Sequence, residues 1–305
     1  MNVSPRCAEN APPADLLARR RDSLDVMNDL WPLSCPHCSA SLSLITEDDR
    51  LHGLDCSSGH HFTAAKQGYV NLLVGRGSSS TPDTPEMIMA RERVQQAGLF
   101  DLVTRKLTAL RDEHAPEAST LLDAGTGTGH YLHEMLSEHP ELRGIGLDLS
   151  SAGLKRAAKH ERTLALAWDL WTPLPLKDHS VDVVLNVFAP RNPEEYARVL
   201  RTCGAVVVVT PRSGHLAELA EVGLLNQQED KHESLLAQMR PVFGEPTVRT
   251  EVTCTLPVED EEAADLVMMG PAGHHRGRRD VLTAVEEQEI WSVTVDVDMT
   301  VWSAP

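Results

Sequence analysis

The chain has 305 residues, of which 41% are hydrophobic and only 4% aromatic, and it carries a formal charge of −17. That length accommodates one large domain or two smaller ones, while the longest apolar runs fall well short of the ~20 residues a membrane span requires. Its six cysteines are too unevenly spread for a disulfide framework. The acidity is also uneven: residues 216–305 hold 6 Lys/Arg against 18 Asp/Glu, so net charge does not by itself exclude a nucleic-acid partner.

Residues 1–28 are rich in Ala, Pro, Arg and Asp, without a sustained apolar period or a hydrophobic signal core. They are expected to form a mobile tail on a protein that stays in the cytoplasm. Residues 29–75 contain "CPHCSASLSLITEDDRLHGLDCSSGHHF". Here Cys35, Cys38, Cys56 and His60 follow C-x2-C-x17-C-x3-H, two knuckles a hairpin apart, which suits one tetrahedral Zn2+. His61 competes with His60, and His37 is expected to face solvent. Four protein ligands leave no open coordination position, so the ion is read as structural.

Residues 76–115 begin in a Gly/Ser/Thr/Pro linker and continue into "EMIMARERVQQAGLFDLVTRKLTALRDEH". Its helical spacing breaks near Gly98, which predicts two helices. From 116 to 305 the pattern is α/β. "STLLDAG", "RGIGLDLS", "LALAWDL", "VDVVLNVF" and "GAVVVVTP" read as strands separated by helices, hence a mostly parallel, buried sheet. "PTVRTEVTCTLP" and "WSVTVDVDMTVW" alternate, as antiparallel edge strands do.

The segment "LLDAGTGTGHYL" places Asp123, Gly125, Gly127 and Gly129 between a strand and a helix. A pyrophosphate loop would read GxGxxG, but His130 stands at the third glycine's place. The GxGxG form instead suits S-adenosylmethionine, which carries no phosphate. Asp148 ends the next strand, where a carboxylate binds ribose hydroxyls, and Asp169 follows the third, where such folds meet adenine. "LNVFAPRN" offers Asn186, Phe188, Ala189 and Pro190 at a fourth strand end, an amide, an aromatic face and a rigid turn suited to a planar base. His215, after the fifth strand, is placed to reach the cofactor's polar end.

Together, "CPHC…C-x3-H-x-F", "KQGYVNLL", "EMIMARERVQQAGLF", "LLDAGTGTGH", "LNVFAPRNPEE", "VVVVTPRSGHLAEL" and "MMGP" resemble the RlmA-type 23S rRNA guanine-N1 methyltransferases, including the actinomycete tylosin-resistance (TlrB) type. The resemblance runs from about Leu33 to the C-terminus. It implies a Rossmann-like class I methyltransferase domain preceded by a small zinc-binding, RNA-recognising domain. It also implies a homodimer acting on 23S rRNA or a large-subunit assembly intermediate. It assigns cofactor contacts to Phe100, Gly127, Thr128, Leu147, Asp148 and His215, and zinc ligation to Cys35, Cys38, Cys56 and His60. Two departures stand out. Thr63 replaces an Asp that relatives tend to carry, and "MMGPAGHHRGRR" has His274 and His275 near where relatives often have Trp.

The chemistry so implied is displacement at a sulfonium methyl by guanine N1. Asn186, Phe188 and Pro190 are candidates for holding the base, and His274 or His275, which the resemblance does not assign, are candidates for taking the N1 proton. Arg91, Arg93, Arg105, Lys106, Arg276, Arg278 and Arg279 are candidate RNA contacts. One rival is a small-molecule methyltransferase of antibiotic biosynthesis, which would have little use for a zinc unit. The other is a non-catalytic zinc-bearing RNA-binding protein, against which the intact glycine loop and Asp148 weigh.

Overall fold

The computed structural model describes residues 31–75, 81–227 and 231–305. The tail expected over 1–28 lies outside them. Among the described residues, no helix is long and apolar enough to cross a membrane.

The first unit is a three-stranded antiparallel ribbon of β1 (Leu42–Glu47), β2 (Arg50–Cys56) and β3 (His61–Thr63), in the order β1-β2-β3. β1 and β2 are joined by a two-residue turn in which Asp48 and Asp49 both take positive φ, 50° and 57°. This is the backbone that matches strand twist in tight hairpins. The chain then contributes a short strand, β4 (Val70–Asn71), to the large sheet, parallel to β7 (Thr163–Ala167). At the ribbon's other end, Leu33 bridges Leu176, and Ser34 N–H donates to the carbonyl of Pro175 at 2.9 Å. The ribbon is thus tied to the sheet at both ends.

Helices α1 (Pro85–Gln96) and α2 (Asp101–His114) precede the α/β region, separated at Gly98, which has φ +76°. β5 (Thr120–Ala124) leads to α3 (His130–Glu138), and β6 (Arg143–Asp148) leads to α4 (Ser151–Ala157), whose cap is Ser150. After β7 come β8 (Val181–Val187), α5 (Pro193–Val199) and β9 (Leu200–Pro211). α6 (Ala217–Glu221), α7 (His232–Phe243), β10 (Val248–Pro257), α8 (Asp260–Met268), α9 (Arg278–Gln288) and β11 (Ser292–Ser303) complete the chain.

The eight-stranded sheet runs β10-β11-β9-β8-β5-β6-β7-β4, parallel except for β11, which is antiparallel to both of its neighbours. Only β10 is therefore the edge strand its alternation predicts. β11 is interior, and its two buried carboxylates are paired inside the fold. Asp296 accepts from Arg212 at 2.8 Å and from Thr253 at 2.7 Å, and Asp298 pairs with Arg249 at 2.8 Å. Alternation here marks buried ion pairs rather than a solvated face.

Both faces of the sheet are covered, which is why its central strands read as continuous apolar runs. One face packs against α2, α3, α8 and α9 through residues such as Leu107, Leu132, Val267 and Val285. The other packs against α5 and α7, and continues without a break into Leu33, Leu42 and Leu54 of the ribbon. The ribbon and the sheet share one core.

Candidate active site and metal centre

In the ribbon, the ligand atoms of Cys35, Cys38, Cys56 and His60 lie within 4.8 Å of one another. Cys38 and Cys56 sulfurs are 3.8 Å apart, and His60 Nδ1 lies 3.6 Å from the Cys35 sulfur and 3.2 Å from that of Cys56. A tetrahedral zinc with Zn–S of about 2.3 Å and Zn–N of about 2.0 Å demands edges of roughly 3.5–3.8 Å, so the donors fit that ion. Hydrogen bonds from Ser58 and from the backbone at Ala40 push the Cys38 thiol down to about 6, toward the thiolate that metal binding uses. His61 is turned away and bonds Asp55 at 2.6 Å, while exposed His37 stacks on Phe62.

The glycine loop follows β5 at the carboxyl edge of the sheet. Gly125 and Gly129 sit at φ +95° and +85°, a region that non-glycine residues enter only with strain. A Cβ on Gly125 would overlap that of Ala189, and one on Gly129 would come within 2.9 Å of Ala157 Cα. The Leu147 carbonyl accepts from Gly125 and Thr126 N–H at 2.9 and 3.0 Å, so Leu147, itself fully buried, shapes the loop through its backbone. Asp148 accepts from Gly127 N–H at 2.8 Å and Ser150 N–H at 2.7 Å. Each of its oxygens retains lone-pair capacity for a ribose hydroxyl. Asp123 is buried, with one oxygen unpartnered, and burial pushes its carboxyl up to about 7. The Thr128 hydroxyl donates to Gln95 at 2.7 Å. Asp169 accepts from Trp171 N–H at 3.0 Å and borders a groove shared with the ribbon. These features fit a phosphate-free adenosyl cofactor: bare backbone, a strand-end carboxylate with free lone pairs and a buried acid with one oxygen unpartnered. The one guanidinium beside Gly127, that of Arg91, is paired with Asp83 at 2.6 Å.

The other half of the site is aromatic. Phe188, 41% exposed, takes φ +54°, an outlier for a bulky residue. Its ring stacks on His215, with centroids 5.7 Å apart, and both rings meet buried Phe100 at about 6 Å. His215 Nδ1 accepts from Asp296 N–H at 3.3 Å, so the ring proton sits on Nε2. Burial pushes its pKa down to about 4. His215 is a neutral donor near pH 7, not a base.

That state has a measurable consequence. The unfolded chain protonates this histidine below pH ~6.5 and the fold resists doing so until pH about 4. Stability present above pH ~6.5 is therefore lost as pH falls through that window. Between pH 7 and 4, wild type should lose about 2–3 kcal/mol more than His215→Gln, read from denaturant midpoints. Asp123 acts in the opposite sense in both proteins and cancels in the comparison. Equal losses would contradict a buried neutral imidazole.

Several expected residues are engaged with other parts of the protein. Asn186 is fully buried, and its amide donates to Ala124 O (3.1 Å), Pro190 O (2.7 Å) and Tyr196 Oη (3.1 Å). It braces the Phe188–Pro190 turn from beneath. Tyr196, whose hydroxyl also reaches Pro190 O at 3.2 Å, was not legible as part of the site; the one hint is a tyrosine on a short helix of a chain with three. His274 ends a 3-10 turn, Pro271–His274, and its ring neighbours that of His275. Of the basic residues expected on RNA, Arg93 and Arg278 both bind buried Asp265, and Arg91 also holds the Met269 carbonyl at 2.9 Å. They tie α1 and α9 to α8. Arg105 and Lys106 remain exposed on α2.

A central parallel strand with a glycine loop, an acid ending the next strand and a final antiparallel strand inserted beside β9 define a class I, S-adenosylmethionine-dependent methyltransferase, here carrying a zinc ribbon. Residues 33–76 match the family described as "RlmA, N-terminal", and residues 121–208 match "Methyltransferase domain". The 23S rRNA (guanine(748)-N(1))-methyltransferase of Streptomyces fradiae is 39% identical over 277 residues, 88% of this chain and 95% of its own. The chain belongs to the RlmA/TlrB-type family of 23S rRNA guanine-N1 methyltransferases. A provisionally named 23S rRNA (guanine-N(1)-)-methyltransferase of Micromonospora griseorubida is 38% identical over 81% of this chain and 88% of its own. Another so named, from Bacillus subtilis, is 29% identical over 88% and 95%.

Proposed function

We propose that this enzyme methylates N1 of a guanine in a domain II hairpin loop of 23S rRNA near the macrolide site, with tylosin-type resistance as the consequence. It acts in the cytoplasm as a homodimer, on 23S rRNA or a large-subunit assembly intermediate. The observation that carries this reading is the shared core of ribbon and sheet, in which Leu33, Leu42 and Leu54 pack with Leu166 and Trp168. It fixes a zinc module suited to RNA shape beside the cofactor face.

When bound, S-adenosylmethionine would supply a methyl on cationic sulfur for transfer to guanine N1, with the carbon–sulfur electron pair left on sulfur and the N1 proton going to a base. Asp123, Asp148 and the glycine loop would hold and orient the donor, with Asp169 available to its adenine and Phe100, Thr128 and Leu147 to its remaining surface. Phe188 offers its face to the extruded guanine, on a turn that Pro190 stiffens and Asn186 anchors. The Nε2–H of His215 donates to an acceptor on donor or base. Alignment supplies much of the rate, since no covalent intermediate is needed. His274 takes the N1 proton; an unchanged turnover and pH profile in a His274/His275 double alanine variant would remove it from that role.

Methyl-labelled cofactor and unmodified 23S transcript should yield 1-methylguanosine as the labelled nucleoside after digestion. Label in a macrolide or another small acceptor, with none in RNA, would transfer the assignment to a small-molecule enzyme.

A further inference from the structure

Among the described residues, five large hydrophobic side chains are exposed, and three of them, Val74, Trp171 and Phe188, belong to segments that adjoin in the fold. Phe188 lies at the substrate turn. Leu170 links that turn to the next step, since its carbonyl accepts from Asn192 Nδ2 at 2.9 Å and its side chain lies beside Gly125 and Ala189. Trp171 follows directly, 62% exposed, with its backbone N–H pinned to Asp169. Asp169 also borders a groove of about 250 Å3, lined by Leu73, Val74 and Trp168 and by Ser34 and Pro36 of the zinc ribbon.

In a chain with 4% aromatics, an indole left 62% in water next to the substrate turn is not explained by packing. Single exposed apolar residues are ordinary, but several on adjoining segments between an active site and a second module mark a contact surface. Its occupant is indicated by charge. Among the described residues, Arg191, next to Pro190, bonds the neutral Gln238 at 3.0 Å and forms no ion pair with a carboxylate. A guanidinium spared from acids beside a stacking surface is what unpaired RNA needs, phosphate neutralised and base faces covered.

We infer that Trp171 is a stacking platform for an unpaired nucleotide flanking the target guanine, with Arg191 on its phosphate and the loop continuing into the ribbon groove. This rests on the proposed RNA substrate. Extruding the target unstacks its neighbour, and the indole replaces the lost stacking partner.

The test uses full-length protein and an unmodified 23S rRNA transcript. It measures methyl transfer, RNA affinity by filter binding at several salt concentrations, cofactor affinity by calorimetry and mass by light scattering. Trp171→Ala should weaken RNA binding roughly 5- to 150-fold and leave cofactor affinity unchanged, while Trp171→Phe should stay close to wild type. Arg191→Gln should flatten the slope of log affinity against log salt by about 0.7. If wild type transfers methyl and Trp171→Ala binds RNA within twofold, the platform is wrong while the rRNA activity stands. Loss of cofactor affinity in Trp171→Ala, or a change in oligomeric state with RNA affinity intact, would overturn it in favour of a cofactor-site or self-association role. Wild type that neither binds nor methylates the transcript would overturn both.

Discussion

Cys56→Ser is expected to remove the bound zinc and to reduce methyl transfer to RNA by at least about 1000-fold. A structural zinc provides about 10–16 kcal/mol of apparent binding free energy in isolated fingers, most of it expressed as folding. Here the loss would not stay local. Cys56 ends β2, and the same ribbon places Leu33, Leu42 and Leu54, all 2% exposed or less, in the core shared with Leu166, Trp168 and Leu176. Unravelling the ribbon exposes three leucines at about 1.5–3 kcal/mol each, an upper bound because the unfolded segment stays partly compact. It also frees β4 from the sheet edge. The expected result is a one-to-zero change in zinc per chain by atomic absorption, a lowered first thermal transition and lost RNA activity. A variant that keeps its zinc, or keeps RNA activity without it, would show that this cluster is not the ribbon's organising centre.

Gly125→Ala is expected to cut cofactor affinity and methyl transfer by at least about 100-fold, equivalent to roughly 2.7 kcal/mol. Two effects combine at that position. The backbone sits at φ +95°, where a side chain costs about 1–3 kcal/mol. The new methyl would also overlap Ala189, driving the cofactor loop against the turn that presents Phe188. Neither segment yields easily: the Leu147 carbonyl holds Gly125 N–H, and Asn186 ties Ala124 O to Pro190 O. Gly223→Ala is the control, because Gly223 has φ +74° with nothing within 4 Å of an added Cβ. It should lose stability through backbone strain alone and keep its cofactor affinity, as calorimetry would show. Equal behaviour of the two variants would mean that the contact between loops is unimportant.

What could be read without coordinates was what local spacing encodes. The C-x2-C-x17-C-x3-H pattern specifies a ribbon because knuckles and hairpin are each a few residues long. The Asp123-to-Gly129 loop is likewise contiguous, and Asp148 follows one strand period later. The break between α1 and α2 at Gly98 is announced by the glycine itself. What stayed hidden depends on pairings between distant segments. Asp265, 172 residues from Arg93, engages that arginine and Arg278 in ion pairs that tie three helices together. The alternation of β11 reads as a solvated edge until Arg212 and Arg249 are seen to pair its carboxylates. Asn186 looks like a substrate ligand in "LNVFAPRN", yet strand pleating turns it under the turn, where Tyr196 meets it. Trp171, by contrast, is near its neighbours in sequence, but only its exposure distinguishes it from a core tryptophan such as Trp168, 5% exposed.

In the proposed function, a zinc module that reads RNA shares one core with a cofactor site that methylates guanine N1. The most direct measurement is primer extension on 23S rRNA incubated with full-length, zinc-loaded protein and S-adenosylmethionine, because methylation at N1 blocks Watson–Crick pairing and halts reverse transcriptase. A single cofactor-dependent stop beside a guanine in the domain II hairpin is the predicted result. Uninterrupted extension on both naked rRNA and ribosomal particles, with cofactor binding verified in the same preparation, would contradict it.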